Sequence, residues 1–359
     1  MRIDHLAALT AAFVFPLFPA WSFEIELERN FTRPGNQEQL DIISTADLGP
    51  FTPIISAFQD ENPGIDIRYV VASSVELFKA LHAENASFDL AISSAMDLQI
   101  KLANDGKSVP YTSATTSRLP GWAKWRNEVF AFTREPAVLL ISRKAFSALP
   151  VPRTRIELIE LVRSHPDVFR DRVGTYDVRS SGLGYLFATQ DSRNSEVYWR
   201  LTEVFGQLGS RLYCCSAEMI ADVENGTLAL AYNVLGSYAQ RELSDGGGNA
   251  QLVTFEDYYN VMLRTALIPA SATNVSGAGR MIDFLLRLDL RPDLVERSGF
   301  PAIPLSGSGG LDNTNSIHLG PSLLVFLDKL KRRKFLEYWS SSLRLDGEPG
   351  DQAEQRILE

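Results

Sequence analysis

The sequence predicts an α/β protein made of two lobes that are joined by two crossing segments. The chain has 359 residues and is 45% hydrophobic, which is more apolar material than one core usually serves. Short apolar strands alternate with amphipathic helices, and this alternation occurs twice, in two separate parts of the chain. Such alternation is typical of a parallel sheet with helices on both faces.

The first alternating unit extends from Leu40 to about Asn104. Asn62-Pro63-Gly64 ends its first helix, and Ser73 with Glu76 forms a capping box at the start of the second. The predicted strands are 40–44, 65–71 and 88–92, and the predicted helices begin near residues 51, 73 and 95.

The second unit extends from about Thr133 to Tyr259. One of its helices follows Ser180-Ser181-Gly182, and another has Ser216 as its candidate cap. The remaining predictions are strands 138–142, 173–176, 227–234 and 251–255 and helix 154–162, followed by a returning strand over 259–268 and helices over 281–288 and 322–339.

Two segments connect the predicted lobes. The chain crosses outward near 128–136 and returns near 258–268, so lobe 1 comprises 38–133 plus 261–359 and lobe 2 comprises 134–260. Two connecting strands leave little freedom except bending, and we therefore expect the lobes to open and close around a cleft.

The first 22 residues have the features of a secretion signal. A short start with one Arg precedes an apolar run from Leu6 to Pro19, and Ala20-Trp21-Ser22 places small residues where a signal peptidase reads them. A membrane anchor is the alternative, but the run is short for a span and contains prolines. We predict a cleaved signal peptide over 1–22 and export to the periplasm, with membrane contact only through a partner.

Charge and motifs exclude several classes of function. A formal net charge of −9 and a pI near 5.2 disfavour nucleic-acid binding, which needs a basic face. An anionic ligand remains compatible, because local donors decide its binding. No G-x-S-x-G elbow, P-loop or dinucleotide fingerprint occurs, so we expect neither an enzyme nor a cofactor.

The cysteines and histidines offer no obvious metal site. The four histidines are scattered along the chain without a partner at a ligand spacing. Cys214 and Cys215 are adjacent, and we interpret them as two small buried residues beside a strand. A vicinal disulfide is the alternative for an exported protein.

The cleft between the lobes is the predicted ligand site. Strand ends and helix amino termini face it, and free backbone N–H groups there favour an oxyanion. Hydroxyls recur at these junctions, although each Ser is equally explained as a helix cap and each Tyr as a core residue. The candidate ligand-binding residues are Ser44, Thr45, Ser73, Ser74, Ser93, Ser94, Ser180, Ser181, Gly182, Tyr232, Asn233 and Tyr258.

Several segments resemble a known family. The segments LDIISTADLGPFTPIISAFQDENPGIDIRYVVASSVELFKAL (40–81), FDLAISSAMDLQIKLANDG, EPAVLLISR and NVSGAGRMIDFLL resemble the ferric-iron-type periplasmic substrate-binding proteins of ABC transporters. GTYDVRSSGLGYLFATQD, AYNVLGSYA and LGPSLLVFLDKLKRRKFLEYW are similar to a bacterial subgroup, some of whose members are associated with two-component sensor kinases. The resemblance implies the type II periplasmic-binding-protein fold.

The resemblance also implies a function. Such a protein is a monomer that closes around a small, here anionic, organic ligand and delivers it to an ABC permease. One alternative is a ligand-sensing accessory that contacts the periplasmic domain of a membrane histidine kinase.

Fe(III) binding is the other alternative. The iron-binding relatives hold the metal with adjacent tyrosines, whereas the matching segment here is Tyr232-Asn233-Val234. The pair Tyr258-Tyr259 lies at the return crossing, where alternate residues face opposite ways, so we expect no metal ligands.

Overall fold

The computed structural model of the protein describes residues 23–35, 37–243, 248–305 and 316–345. The predicted signal peptide, 1–22, lies outside these residues. Within the described part of the chain, no helix has both the length and the apolar character needed to cross a membrane.

The chain forms a mixed α/β fold whose elements largely follow the predicted order. The first group is β1 (Leu27–Phe31), β2 (Glu38–Ser44), α1 (Leu48–Glu61), β3 (Ile65–Val71), α2 (Ser74–His82), β4 (Leu90–Ser93), α3 (Met96–Asn104), β5 (Ser108–Val109), β6 (Lys124–Trp125) and β7 (Val129–Ser142). The second group is α4 (Arg155–Ser164), α5 (Pro166–Phe169), β8 (Val173–Tyr176), α6 (Gly182–Asn194), α7 (Val197–Gln207), β9 (Arg211–Tyr213), α8 (Ser216–Glu224), β10 (Leu230–Leu235), α9 (Gly236–Glu242) and β11 (Ala250–Val253). The last group is β12 (Val261–Pro269), α10 (Val275–Leu286), α11 (Pro292–Ser298) and α12 (Lys329–Ser342).

Each lobe contains a parallel core of strands. In the first lobe β2 lies between β3 and β4 and pairs with both in parallel, with Ser44 opposite Val71 and Ile92. In the second lobe β8 lies between β10 and β9, again in parallel. Because parallel strands end at the same edge, the helices that follow them begin side by side.

The long strand β7 joins the two sheets. Over 130–136 it pairs antiparallel with β12, and over 137–141 it pairs antiparallel with β10. The hydrogen-bonded path is therefore continuous, in the order β1-β3-β2-β4-β12-β7-β10-β8-β9, with β7 shared between two bodies. The fold is two-lobed, and β7 and β12 lie side by side where the chain crosses.

The carboxyl-terminal helix differs from the prediction. The predicted helix 322–339 is a 3₁₀ segment, Pro321–Leu327, followed by α12, which Asp328 caps through the backbone N–H of Lys331. Its aromatic residues pack on Trp199 of α7, with the Phe335 ring centroid 5.3 Å away. We predicted 261–359 as part of lobe 1. In the structure, α12 contacts helix α7 of the second lobe. The lobe boundaries stay a prediction.

Candidate functional site: the cleft between the lobes

A cleft lies where the strand ends of the two lobes face each other, and it encloses about 600 Å³ of empty space including its open mouth. The first lobe contributes the segments after β2, β3 and β4, and the second lobe those after β8, β9 and β10. The lining residues are Glu26, Thr45, Asp47, Ala72, Ser73, Ser74, Ser94, Tyr176, Ser180, Ser181, Leu183, Cys214, Cys215, Ser216, Ala217, Leu235, Tyr238 and Arg264. The cleft thus contains six of the twelve predicted ligand-binding residues: Thr45, Ser73, Ser74, Ser94, Ser180 and Ser181.

Hydroxyls from neighbouring strand ends form the first wall. The Thr45 hydroxyl accepts a hydrogen bond from the backbone N–H of Ser94 at 3.0 Å, and the two side-chain oxygens lie 3.3 Å apart. Ser73 caps α2 by accepting from the backbone N–H of Glu76 at 3.2 Å, as the capping box predicted. The Ser73 oxygen accepts in that bond, so its O–H proton remains available as a donor.

Hydrogen bonds between described residues join the two lobes at the cleft. The Ser74 hydroxyl accepts from the backbone N–H of Gly182 at 3.1 Å, which links the starts of α2 and α6. The Tyr238 hydroxyl accepts from the backbone N–H of Asp47 at 3.2 Å. A Cβ at Gly182 would lie 2.6 Å from the Ser74 Oγ, so only glycine permits this approach.

The second wall is built by the starts of α6 and α8. Ser181 caps α6 by accepting from the backbone N–H of Gly184 at 3.2 Å. Ser216 was predicted as the cap of α8, and this was wrong: it is the first helical residue, after Cys215. Its hydroxyl instead lies 2.5 Å from the Tyr176 hydroxyl and accepts from the backbone N–H of Leu235, which ties β8, α8 and β10 together. Burial raises the pKa of Tyr176 far above its usual value, so this phenol stays neutral.

Arg264 of the crossing strand β12 also lines the cleft. It is 1% exposed, and its Nε and Nη2 donate to the two carboxylate oxygens of Glu135 at 2.9 and 3.0 Å. Its Nη1 is buried and has no hydrogen-bond partner among the described residues. Burial lowers the pKa of Arg264, but Glu135, Tyr238 and Tyr69 together raise it by more, so the guanidinium is charged. An unsatisfied charged donor at this depth is costly unless a ligand completes it.

Cys214 and Cys215 form a disulfide with each other. The interpretation as two buried thiols was therefore wrong. Cys214 is exposed and Cys215 half-buried, because the chain passes along the cleft wall here between β9 and α8. Together with Leu183 and Leu235, the disulfide gives this wall an apolar surface.

Carboxylates lie at the mouth of the cleft. Asp47 precedes α1 but does not cap it through its side chain, and no described residue forms an ion pair with Asp47 or Glu26. Desolvation raises the pKa of Glu26, and the nearby carboxylates of Asp47 and Glu218 raise it further. The cleft therefore contains acidic groups as well as the Arg264 donor.

The fold is shared with solved structures of transport proteins. The substrate-binding protein of an ABC transporter from Agrobacterium tumefaciens is 30% identical to this chain, with a TM-score of 0.83 over 90% of this chain and 99% of that one. The chain belongs to the substrate-binding proteins of ABC transporters. No protein-family model matches the sequence, and no curated protein matches it significantly.

Two further binding proteins share the fold of this substrate-binding protein at lower identity. The periplasmic binding protein AfuA from Actinobacillus pleuropneumoniae, with fructose-6-phosphate bound, is 14% identical, with a TM-score of 0.70 over 86% of this chain and all of that one. Iron-bound HitA from Pseudomonas aeruginosa is 18% identical, with a TM-score of 0.62 over 90% of this chain and all of that one.

The other six predicted residues lie outside the lining of the cleft. Ser44 and Ser93 are at most 1% exposed, and their hydroxyls accept from the backbone N–H groups of Ala46 and Ala95 at 2.9 and 3.1 Å. They hold the chain turns that follow β2 and β4. Gly182 donates its backbone N–H to Ser74 and so connects the lobes behind the cleft lining.

Tyr232, Asn233 and Tyr258 belong to a separate buried cluster in the second lobe. A bulge in β10 shifts its register against β7 between Ala231 and Val234, and Asn233 has a φ of +63°. The Tyr232 hydroxyl donates to Asp191 at 2.8 Å and accepts from Arg155 Nε at 2.7 Å. Asn233 also donates to Asp191 at 2.8 Å, while the Tyr258 ring lies under the Arg155 guanidinium.

Residues that the sequence analysis missed include Arg264, Tyr176 and Tyr238. A signal for Arg264 was present, because it is the single charged residue in the otherwise apolar strand sequence VMLRTALIP. A charge inside such a strand is buried, and buried charges need a partner or a function. Tyr238 had no comparable signal, because its role depends on how α9 meets the first lobe.

Proposed function

We propose that this substrate-binding protein is exported to the periplasm, closes around a small anionic organic solute and delivers it to an ABC permease. The single observation that carries the anion is Arg264, whose Nη1 is buried beside the cleft without a partner among the described residues. An anionic oxygen of the solute would accept a charge-assisted hydrogen bond from this nitrogen. Such a bond is stronger than the hydrogen bonds that neutral groups of the cleft can form.

Helix termini and hydroxyls support the same ligand class. The starts of α2, α6 and α8 contribute lining residues from both sides, and the first backbone N–H groups of a helix lack partners within it. These N–H groups and the positive ends of the helix dipoles favour an anion. Ser73, Ser74 and Ser181 add hydroxyls to the same region.

The connection between the lobes supports closure. β7 and β12 run side by side where the chain crosses, and Arg264 on β12 pairs with Glu135 on β7. A solute that contacts Arg264 therefore touches the crossing strands, while contacts to α2 and α6 draw the two lobes together. The Ser74–Gly182 bond is then favoured only in the closed form.

Thermal unfolding with a panel of solutes tests the proposal. Ligand binding raises the melting temperature by mass action, with about 2.7 kcal/mol of stabilisation at a hundredfold excess over Kd. We expect organic acids, organic phosphates or sulfonates to raise it, while matched neutral sugars and the diamine putrescine do not. Mass spectrometry of solutes released from natively purified protein identifies the physiological member of the class.

A neutral sugar or a diamine that stabilises the protein, with no effect from any anion, would contradict the proposal. Arg264→Lys provides the internal check, because it keeps a charge for Glu135 and removes the planar third nitrogen. An anion that stabilises the parent and the variant equally binds somewhere other than the cleft.

A further inference from the structure

Opposite charges line this cleft within a short distance of each other. Arg264 supplies a buried donor at the base, and Asp47 and Glu26 supply carboxylates toward the mouth. Tyr238 contacts both ends: its hydroxyl accepts from the backbone N–H of Asp47 at 3.2 Å, and its ring centroid lies 5.9 Å from the Arg264 guanidinium carbon. Tyr238 therefore lies between the Arg264 guanidinium and the backbone of Asp47.

The carboxylate of Asp47 is not used by the fold. It is half-buried, does not cap α1, and has no ion-pair partner among the described residues. Glu26 has none either, and the Glu218 carboxylate lies near enough to add to the negative potential. A solute that carries a positive group as well as its anionic group would pair with these carboxylates as the cleft closes, because removing charges from water strengthens their interaction.

We propose that the solute is a short zwitterion, with an anionic group on Arg264 and the hydroxyls of α2 and α6 and an ammonium group on Asp47 and Glu26. The inference rests on the proposed function and narrows its ligand class. A short linker of methylene groups would join the two charged groups of such a solute. The apolar wall of Leu183, Leu235 and the Cys214–Cys215 disulfide would pack against those methylenes.

Matched pairs of compounds test the ammonium site. Taurine and isethionate, β-alanine and 3-hydroxypropionate, and 2-aminoethyl phosphate and 2-hydroxyethyl phosphate differ only by an ammonium or a hydroxyl group. Isothermal titration of the mature protein should give at least one pair in which the amine binds about tenfold or more tightly than its hydroxyl partner. This affinity ratio corresponds to the difference in free energy between a charge-assisted and a neutral hydrogen bond.

Substitutions of the two carboxylates test whether they produce the preference for the amine. Asp47→Asn and Glu26→Gln should each reduce the amine-to-hydroxyl affinity ratio severalfold, while the affinity for the hydroxyl compound stays within about twofold. Glu160→Gln is the matched control, because Glu160 is exposed on α4 and outside the cleft, and it should leave the ratio unchanged. Circular dichroism confirms that each variant is folded before titration.

The outcomes separate this inference from the proposed function. Equal binding of amine and hydroxyl compounds, or binding of other anions while no pair member binds, overturns the zwitterion and leaves the anion-binding function standing. A ratio that survives both carboxylate substitutions also overturns it. Binding of no anion of any kind overturns the proposed function itself.

Discussion

Two arginines in this protein are equally buried but differ in how many of their guanidinium nitrogens have hydrogen-bond partners. Arg155 and Arg264 are both 1% exposed, and each contacts a fully buried carboxylate, Asp191 or Glu135. Arg155 donates from all three nitrogens, to Tyr232, to Asp257 and the carbonyl of Tyr258, and to Asp191. Arg264 leaves Nη1 without a hydrogen-bond partner among the described residues. Burial alone therefore does not mark a binding residue, whereas a buried charged donor without a partner, on a residue that lines a cleft, is a candidate for one.

The comparison explains why Tyr232 and Asn233 are poor ligand candidates. Tyr232 and Asn233 were predicted to contact the solute, but both donate to Asp191, which also accepts from Asn260 at 2.7 Å. Both charged groups of this cluster, Arg155 and Asp191, are engaged, while the neutral Tyr258 hydroxyl is buried without a hydrogen-bond partner among the described residues. We infer that this cluster fixes the packing of α4, α6 and β10, while the Arg264 region is left incomplete for a solute.

The largest expected effect comes from breaking the cluster around Asp191. Asp191→Asn removes the carboxylate on which Arg155, Tyr232 and Asn233 converge, and removing one partner of a buried ionic network costs about 3–5 kcal/mol of the free energy of unfolding. Urea denaturation measures the loss. Ligand affinity of the folded fraction should stay within about twofold. A variant that keeps its stability but loses binding would show that this cluster, and not the cleft, holds the solute.

The next largest effect is expected from replacing Arg264. Arg264→Lys should weaken anion binding by about 1.5–3 kcal/mol, the range for hydrogen bonds to charged groups. Titration calorimetry with the best anion of the panel measures it. Arg143→Lys is the matched control, because Arg143 is exposed outside the cleft and its side chain bonds only that of Gln251 among the described residues. Equal affinities in both variants would remove Arg264 from the site.

Closure of the lobes is tested at Gly182. An alanine there would place its Cβ 2.6 Å from the Ser74 Oγ and 3.0 Å from Leu98 Cδ1, so Gly182→Ala should disfavour closure by about 1–3 kcal/mol. The affinity should fall accordingly, and small-angle scattering with ligand should show a larger radius of gyration. Gly121→Ala is the control, because nothing lies within 4 Å of the added Cβ. Unchanged affinity in Gly182→Ala would mean that binding does not require this lobe contact.

The smallest expected effect shows whether Ser73 is only a helix cap or also contacts the ligand. Ser73→Ala and Thr154→Ala each remove a helix cap, and each should lower the free energy of unfolding by about 1 kcal/mol. Only Ser73 lines the cleft, so only Ser73→Ala should also weaken the ligand, by about 0.5–1.5 kcal/mol. Thermal unfolding and calorimetry measure the two effects. Identical affinities in the two variants would leave Ser73 as a cap alone.

Much of the fold could be predicted because it is encoded locally. Hydrophobic periodicity located β2, α1 and β3, and the capping box at Ser73 marked a helix start that the structure confirms. The antiparallel pairing of β7 with β12 also follows from the two predicted crossings. These features depend on neighbours in sequence or on a long apolar run.

The site could be predicted only in part, because its decisive contacts join distant residues. The hydroxyls of Thr45, Ser74 and Ser181 line the cleft as strand ends and helix starts do in any such sheet. The direction of Tyr232 could not be predicted, since it depends on a bulge in β10. The partner of Arg264 lies on another strand, 129 residues away in sequence, so no local pattern shows that one nitrogen is left over.

A crystal structure with the tightest-binding anion of the panel tests the central claim most directly. The account predicts an anionic oxygen of the solute about 2.7–3.2 Å from Arg264 Nη1, between Ser74 of the first lobe and Ser181 of the second. A solute whose anionic group lies elsewhere, with Arg264 Nη1 left in contact with water or with an apolar part of the solute, would contradict it.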